Sequence, residues 1–460
     1  MLLKNGFIAT ETGCFKADIR TDGETIGEIG PELVPREGEE IIGAAGKVIL
    51  PGGVDAHTHM DLDLGEVRAA DDFYTGTVAA ACGGTTSIVD HMAFGPRGCS
   101  IRSQVEAYHR LAQGKAVVDY GFHGVMDHVD SGILDEIKAL AGEGITSYKC
   151  YLTYAGKISD GEVLSLMECA SRLGVMLAVH AENDGAINYL RGKYLAQGKT
   201  APIYHALSRP PECEAEAVSR MIWFARMAGG APLYIVHLSS KFGLECVEAA
   251  RQSGQKNLYA ETCPQYLFLD ESLYSMPDGL KYIMSPPLRA RENLGALWEG
   301  VRGGGIDVIA TDHCPFFYQR EKQMGSDDFS KAPSGIPGVE LRIPLLYSEV
   351  ASGRLELAEL VRLCCSGPAR LFGLYPKKGV IAEGSDADLV LIDPGRKTAV
   401  SHGMLHENTD YTPYEGLRIT GYPVMTLSRG EIIMRDGHLT GRKGRGRFLK
   451  RSLPDLRQRG

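Results

Sequence analysis

The residues of this sequence with the clearest chemical potential are polar side chains that end apolar, strand-like runs. His57 and His59 close "VILPGGVDAHTH", His91 closes "TTSIVDHM", and Lys149 sits in "ITSYKCYLTY". His180 follows "VMLAV", His237 follows "LYIV", and Asp312 stands in "IDVIATDHC". Two histidines two apart on a strand face the same side, which is the spacing a chelating pair needs. With His180, His237 and Asp312 they offer imidazole and carboxylate, a ligand set that suits zinc. A lone histidine at a strand end is more often a hydrogen-bonded core residue. That account must be repeated for every position here, whereas one metal centre explains them together. His91, His123, His128, His313 and Cys314 lie near the same strand ends and complete no spacing that the others lack.

Lys149 poses a separate problem. An ammonium in a buried run carries three donors, no acceptor and a large desolvation cost, and beside divalent cations it is repelled. A deprotonated lysine that takes up carbon dioxide becomes a carbamate, an anion with two oxygens able to bridge two metals. Two divalent cations set against one carbamate, one aspartate and one bridging hydroxide leave a charge of roughly +1, enough to hold and polarise a neutral carbonyl. The alternative is an ion pair between Lys149 and a buried acid.

Residues so far apart must be brought together by the fold. Eight strand-like runs alternate with segments of helical period: the five runs above with their continuations, together with "VVDYGFHGV", "LYAETCPQYL" and the run around Lys149. Eight parallel strands, each followed by a helix, predict a TIM (β/α)8-type barrel over residues 52–372, with the chemistry at the C-terminal mouth. Short β-like runs separated by "KNG" and "TDGE" occupy residues 1–51, and β texture returns over 373–440 in "GVIAEGSDADLVLIDP" and "VMTLSRGEIIMRDG". The two chain ends are expected to form one discontinuous β-sandwich domain beside the barrel. Residues 441–460, "GRKGRGRFLKRSLPDLRQRG", read as a basic C-terminal arm, either packed on a neighbouring subunit, anion-binding or solvated.

Composition narrows the class. The chain has 460 residues, 44% hydrophobic and 23% charged, with a formal net charge of -9, which argues against a nucleic-acid partner. Eleven cysteines without a C-x-x-C pair exclude a zinc finger and fit a reducing compartment. No apolar run is long enough to span a membrane, and "MLLKNGFIATETG" lacks a signal-peptide core, so a cytoplasmic protein with no membrane partner is expected.

With "PGGVDAHTH", "SYKCYLTY", "VHAEN", "VHLSS", "CPQYL", "SPPLR", "ATDHCPF" and "GVIAEGSDADLVLIDP" in view, the chain resembles the amidohydrolase superfamily and, within it, the hydantoinase and dihydropyrimidinase group. The resemblance covers essentially the whole chain. It implies a binuclear zinc site in which His57, His59 and Asp312 hold one metal, His180 and His237 the other, and carboxylated Lys149 bridges both. It also implies a homotetramer. A bridging hydroxide would open a cyclic ureide or imide to the N-carbamoyl amino acid, with Asp312 carrying the proton to the departing nitrogen. Tyr154 matches the family tyrosine that hydrogen-bonds the developing oxyanion. Ser285 in "MSPPLR" and Ser334 in "APSGIPGVE" match positions whose backbone fixes the ring amide. At the second of these the family usually has asparagine.

Substrate choice is expected to rest on the loop after His59. Met60 and Asp61 stand where dihydroorotases and allantoinases typically carry an arginine, which disfavours an anionic ring. "DLDLGE" also lacks the Pro-Phe-Gly-Gly-type continuation of many dihydropyrimidinases. In this loop, "FGPRGC" and "YHALSRPPECEAEA", the sequence looks most like the bacterial phenylhydantoinases. Leu62, Leu64, Phe94 and Cys150 are the candidates for an apolar pocket around an aryl group. The alternatives are an allantoinase or another ring amidohydrolase, and a non-catalytic scaffold of the same fold. Retention of all six ligand positions speaks against the scaffold.

Overall fold

A computed structural model describes residues 1–456. Five strands open the chain: β1 (Leu2–Thr10), β2 (Gly13–Asp22), β3 (Thr25–Gly30), β4 (Ile41–Gly43) and β5 (Val48–Pro51). Eight more alternate with helices: β6 (Gly53–Thr58), β7 (Thr85–His91), β8 (Asp119–Val125), β9 (Ser147–Tyr151), β10 (Met176–His180), β11 (Leu233–Ile235), β12 (Leu258–Thr262) and β13 (Val308–Ile309). Four close the fold: β14 (Leu389–Ala399), β15 (Arg418–Ser428), β16 (Glu431–Arg435) and β17 (His438–Leu439).

Strands β6 to β13 pair in sequence order as one parallel sheet, the TIM-type barrel. Contacts from the last strand region back to the first close its seam. His59 N donates to His313 O at 2.9 Å, and Thr311 Oγ1 donates to the Asp55 carboxylate at 2.7 Å. Below them the buried Arg342 guanidinium donates to the carbonyls of Val54 and Ile309, joining the first strand to the last. A planar fork with five donors suits this task, because it can serve carbonyls of two strands at once. Val54, Ala56, Val89, Met176, Ala178, Tyr234, Val236 and Val308 fill the barrel interior. The alternate residues, such as Leu177, Val179 and Ile235, pack outward against the helices.

Local chemistry sets the βα units. The helix Ser131–Glu143 starts on an Asp130 cap and stops at Gly144, whose φ of +99° favours glycine, and the chain turns directly into β9. After β9, Ser159 and Glu162 form a capping box that starts the helix Asp160–Leu173.

The first strand-like run divides in two. Val48–Pro51 belongs to the other sheet and Gly53–Thr58 to the barrel. At Gly52 between them a Cβ would fall 2.1 Å from Thr86 Oγ1, so the crossing is too tight for a side chain. The other sheet has nine strands, in order β17-β16-β15-β14-β5-β1-β2-β3, with β4 added beside β1. Residues from both chain ends, Ile19 and Ile26 with Leu389 and Leu427, share one buried cluster within it. The sheet's other buried residues, such as Val48, Leu50, Val390 and Ile392, pack into the cluster that the barrel's helices share.

The basic arm continues from the last strand. Through residue 456 it lies on its own chain: Tyr120 N donates to Arg447 O, Leu449 N donates to Tyr120 O, and Arg451 reaches the Phe122 carbonyl at 2.5 Å. Arg445 and Arg451 are buried, their guanidinium donors satisfying backbone oxygens of the same chain. Arg447 pairs with Glu24 and Arg445 with Glu431, so part of the arm's cationic character is neutralised within the chain. Residues 457–460 of the arm lie outside the described residues.

Candidate active site and metal centre

The strand alternation aims side chains at the mouth, and local departures complete the aim. On β9, Ser147, Lys149 and Tyr151 face inward while Tyr148 and Cys150 face the surrounding helices. Cys150 is therefore not a pocket residue, and this corrects the expectation: it is fully buried in the outer layer, one position out of phase with Lys149. Strand β6 slips register between Asp55 and Thr58, so Ala56 packs inside the barrel while His57 and His59 line the mouth. His237 follows the inward Val236 and would face outward, but a φ of +37° turns it into the cavity. Asp312 and Tyr154 also have left-handed φ, +54° and +72°. Strained backbone concentrated at one site suits a site whose geometry serves function.

The structure gathers His57, His59, Lys149, Tyr154, His180, His237, Ser285, Asp312 and Ser334 around one cavity of about 870 Å³. Asp312 Oδ1 lies 3.0 Å from His57 Nε2 and 3.1 Å from His59 Nε2. Lys149 Nζ lies 3.5 Å from His57 Nε2. The His180 and His237 rings are 4.6 Å apart, and His237 is 5.4 Å from His57. Leu62, Leu64 and Phe94 line the same cavity, joined by Met92, Ala93 and Phe329.

Three buried acidic or basic residues that the sequence reading missed organise this cluster. Glu261 accepts from His57 Nδ1 at 2.6 Å, from His237 N at 2.9 Å and from Tyr234 OH at 2.9 Å. Glu182 faces His180 Nε2 at 2.8 Å and is paired with Arg209 at 2.5 Å. Arg209 in turn stacks over the Tyr154 ring at 5.4 Å. The available signal was position: Glu261 is a carboxylate in an apolar strand, and Glu182 stands two residues after His180. His123 and His313 are occupied elsewhere, with Ser147 and Ala56 and with Asp71 respectively. His128 pairs with Asp127, and His91 is buried against the His57 and His123 rings.

The ionisation states follow from this packing. Burial disfavours a charged His57, but Glu261 and Asp312 outweigh it and hold its pKa at about 9. Burial pulls His59 down to about 4 and also lowers His180 and His237. Burial raises Asp312, yet His57 and His59 hold it well below the usual carboxylate range. Burial brings Lys149 down to about 8, although Asp312 and Glu261 offset part of the effect. Tyr154 is pushed up to about 12 by burial and so keeps its proton at neutral pH.

The donor set fits a divalent cation. His57, His59 and Asp312 bring one ligand atom each within 4.8 Å of one another. Glu261 occupies His57 Nδ1 and leaves Nε2 toward the cavity; Glu182 occupies His180 Nε2 and leaves Nδ1. A carboxylate fixing the far nitrogen of an imidazole is the usual support of a metal-bound histidine. Among the described residues no carboxylate forms an ion pair with Lys149, although Asp312 and Glu261 act on it through space.

These observations define a barrel with a candidate metal site at its mouth, and comparison with known proteins gives its family. A sequence profile described as "Amidohydrolase family" matches residues 48–433, and the chain belongs to that family. Over 452 residues it is 50% identical to D-phenylhydantoinase of Escherichia coli O1:K1 / APEC, covering 98% of each protein. Among solved structures, dihydropyrimidinase from Brevibacillus agri NCHU1002 superposes with a TM-score of 0.96 at 41% identity, covering 98% of this chain and 99% of that one. L-hydantoinase from Arthrobacter aurescens gives 0.90 at 30% identity, over 98% and 99%. The chain is thus a cyclic amidohydrolase of the hydantoinase and dihydropyrimidinase type. Among the described residues no helix is long and apolar enough to cross a membrane.

Proposed function

We propose that the enzyme opens the ring of 5-substituted hydantoins, aryl-substituted ones best, and of dihydropyrimidines, yielding N-carbamoyl amino acids. The observation that carries this reading is the composition of one cavity: a histidine and aspartate cluster at its floor, with Leu62, Leu64 and Phe94 on its wall. The 50% identity to a D-phenylhydantoinase supports the aryl preference.

The floor suits two divalent ions, zinc by ligand type, with His57, His59 and Asp312 holding one and His180 and His237 the other. The two latter histidines form no three-ligand group with an Asp, Glu or Cys among the described residues. A carbamate made from Lys149 would complete that set and join the two ions. When bound, such a pair supplies a water acidic enough to be a hydroxide nucleophile at neutral pH and polarises the ring carbonyl.

The chain's own residues do the rest. Asp312, held ionised, accepts the proton of the attacking water and delivers it to the departing ring nitrogen. Tyr154, held protonated, donates a hydrogen bond to the oxygen that gains charge. The backbone at Ser285 and Ser334 holds the ring amide, and the two hydroxyls lie 3.2 Å apart. Phe94, in contact with the Tyr151 ring at 5.0 Å, offers an aromatic face to the substituent. The reading extends, on sequence resemblance, to a cytoplasmic homotetramer.

The test is the initial rate of ring opening on 5-phenylhydantoin, dihydrouracil, allantoin and dihydroorotate, with and without a chelator. Chelator-sensitive hydrolysis strongest on the aryl hydantoin is expected. Turnover of allantoin alone would overturn the pocket reading, and no turnover by metal-replete protein would leave a scaffold.

A further inference from the structure

Lys322 is a second buried lysine, and the mechanism above does not use it. It lies on the 3-10 turn Glu321–Gly325 with no exposed surface. Its Nζ donates to Ile283 O at 2.6 Å and to Pro333 O at 2.8 Å. Among the described residues no carboxylate pairs with it; the Cys314 thiol, the His205 ring and the Phe316 ring at 5.9 Å lie nearby. Burial brings its pKa down to about 7. Charged or neutral, the amine has at least two N–H donors, and both carbonyls are served.

The positions of those carbonyls are informative. Ile283 stands two residues before Ser285, and Pro333 immediately precedes Ser334. Gly335 N also donates to Ile283 O at 3.1 Å, so the two segments already touch. A Cβ at Gly335 would fall 2.2 Å from Cys314 O, which leaves this approach no room to adjust from the other side. An isolated lysine in such a place has a large desolvation cost and is poor material for packing alone.

We propose that Lys322 is a positioning residue: its amine clamps the Ser285 and Ser334 segments at the separation that lets their backbone groups grip both edges of the substrate's ring amide. The inference rests on the reading that the ring amide docks there. Misplacement by about 1 Å at such contacts costs on the order of 100-fold.

The test uses Lys322→Met, which keeps the stem and removes both donors, in the metal-loaded enzyme. KM for 5-phenylhydantoin should rise by roughly 10- to 100-fold while kcat falls less than about threefold and metal content is unchanged. Lys322→Gln, which keeps one nitrogen with two hydrogens and no charge, should show a smaller rise and serves if the Met variant fails to fold. Amide hydrogen exchange provides a readout independent of the reaction: residues 283–285 and 334–335 should exchange faster together in either variant. An unchanged KM, or a loss of kcat in step with lost metal, overturns the clamp even if the ring-opening activity stands. If wild-type enzyme opens no ring, the proposed function fails on its own, and unaltered exchange in both segments would then still overturn the clamp.

Discussion

Replacing Glu261 by glutamine tests whether a single buried carboxylate holds the metal-binding face of His57. Glu261 has no exposed surface and accepts three hydrogen bonds, from His57 Nδ1, His237 N and Tyr234 OH. Glutamine keeps an oxygen for the first two, and the Tyr234 hydroxyl can rotate to accept from the new amide, so the geometry survives and the charge is lost. Removing such a partner of a metal-bound histidine weakens metal affinity or activity by roughly 10- to 100-fold, about 1.4 to 2.8 kcal/mol. In the metal-free protein the same charge, together with Asp312, lifts His57 from 6.5 to about 9 against burial. That rise corresponds to a stabilisation on the order of 3 kcal/mol. Because the folded-state value is raised, this stabilisation is fully present below pH 6.5 and is lost as pH rises through about 9. The proton competes with a metal for the imidazole, so metal uptake by the apoprotein should strengthen from pH 6.5 to 9. In Glu261→Gln that rise should be shallower and shifted to lower pH, and a metal titration at several pH values reads both effects. Wild-type affinity and an unshifted pH profile in the variant would refute the assignment of Glu261 as the group that sets the His57 tautomer.

Two further outcomes are expected. Lys149→Ala should lose metal and activity together, by more than about 100-fold in kcat/KM, and recover part of both when a short carboxylic acid is added; full activity in the unsupplemented variant would remove the carbamate. Lys378→Met should act on stability, because Lys378 is buried among Asp119, Asp386 and Asp388 at 2.7 to 2.9 Å. Asp119 keeps Arg429, but stranding Asp386 and Asp388 should lower stability by about 3 kcal/mol, read as a fall in denaturation midpoint, and a midpoint within error of wild type would sink that account.

The polar residues at the strand ends were legible in the sequence because strand period and residue type are local properties. An apolar run that stops at a histidine, lysine or aspartate is visible without knowing its partners, and several such stops already point to a barrel mouth. The loop residues Leu62, Leu64 and Phe94 could be placed by their proximity to those stops. Cys150 could not be placed by proximity. It adjoins Lys149 in the chain, but successive strand residues face opposite ways, and the period decides against it.

What the sequence by itself determined is the alternation of strands and helices and the chemical inventory of the mouth, since both are written in neighbouring residues. Only closure of the barrel decided which groups meet. His57 and Glu261 are 204 positions apart, and Arg342 joins β6 to β13 only because the first and last strands become neighbours. The same holds for Lys322, whose two carbonyls come from loops 39 positions before it and 11 after it, and for the basic arm, whose arginines find carbonyls of their own chain. A hydrogen bond is short-ranged and directional, so its partner is set by where backbones finally lie in space, and no local pattern records that.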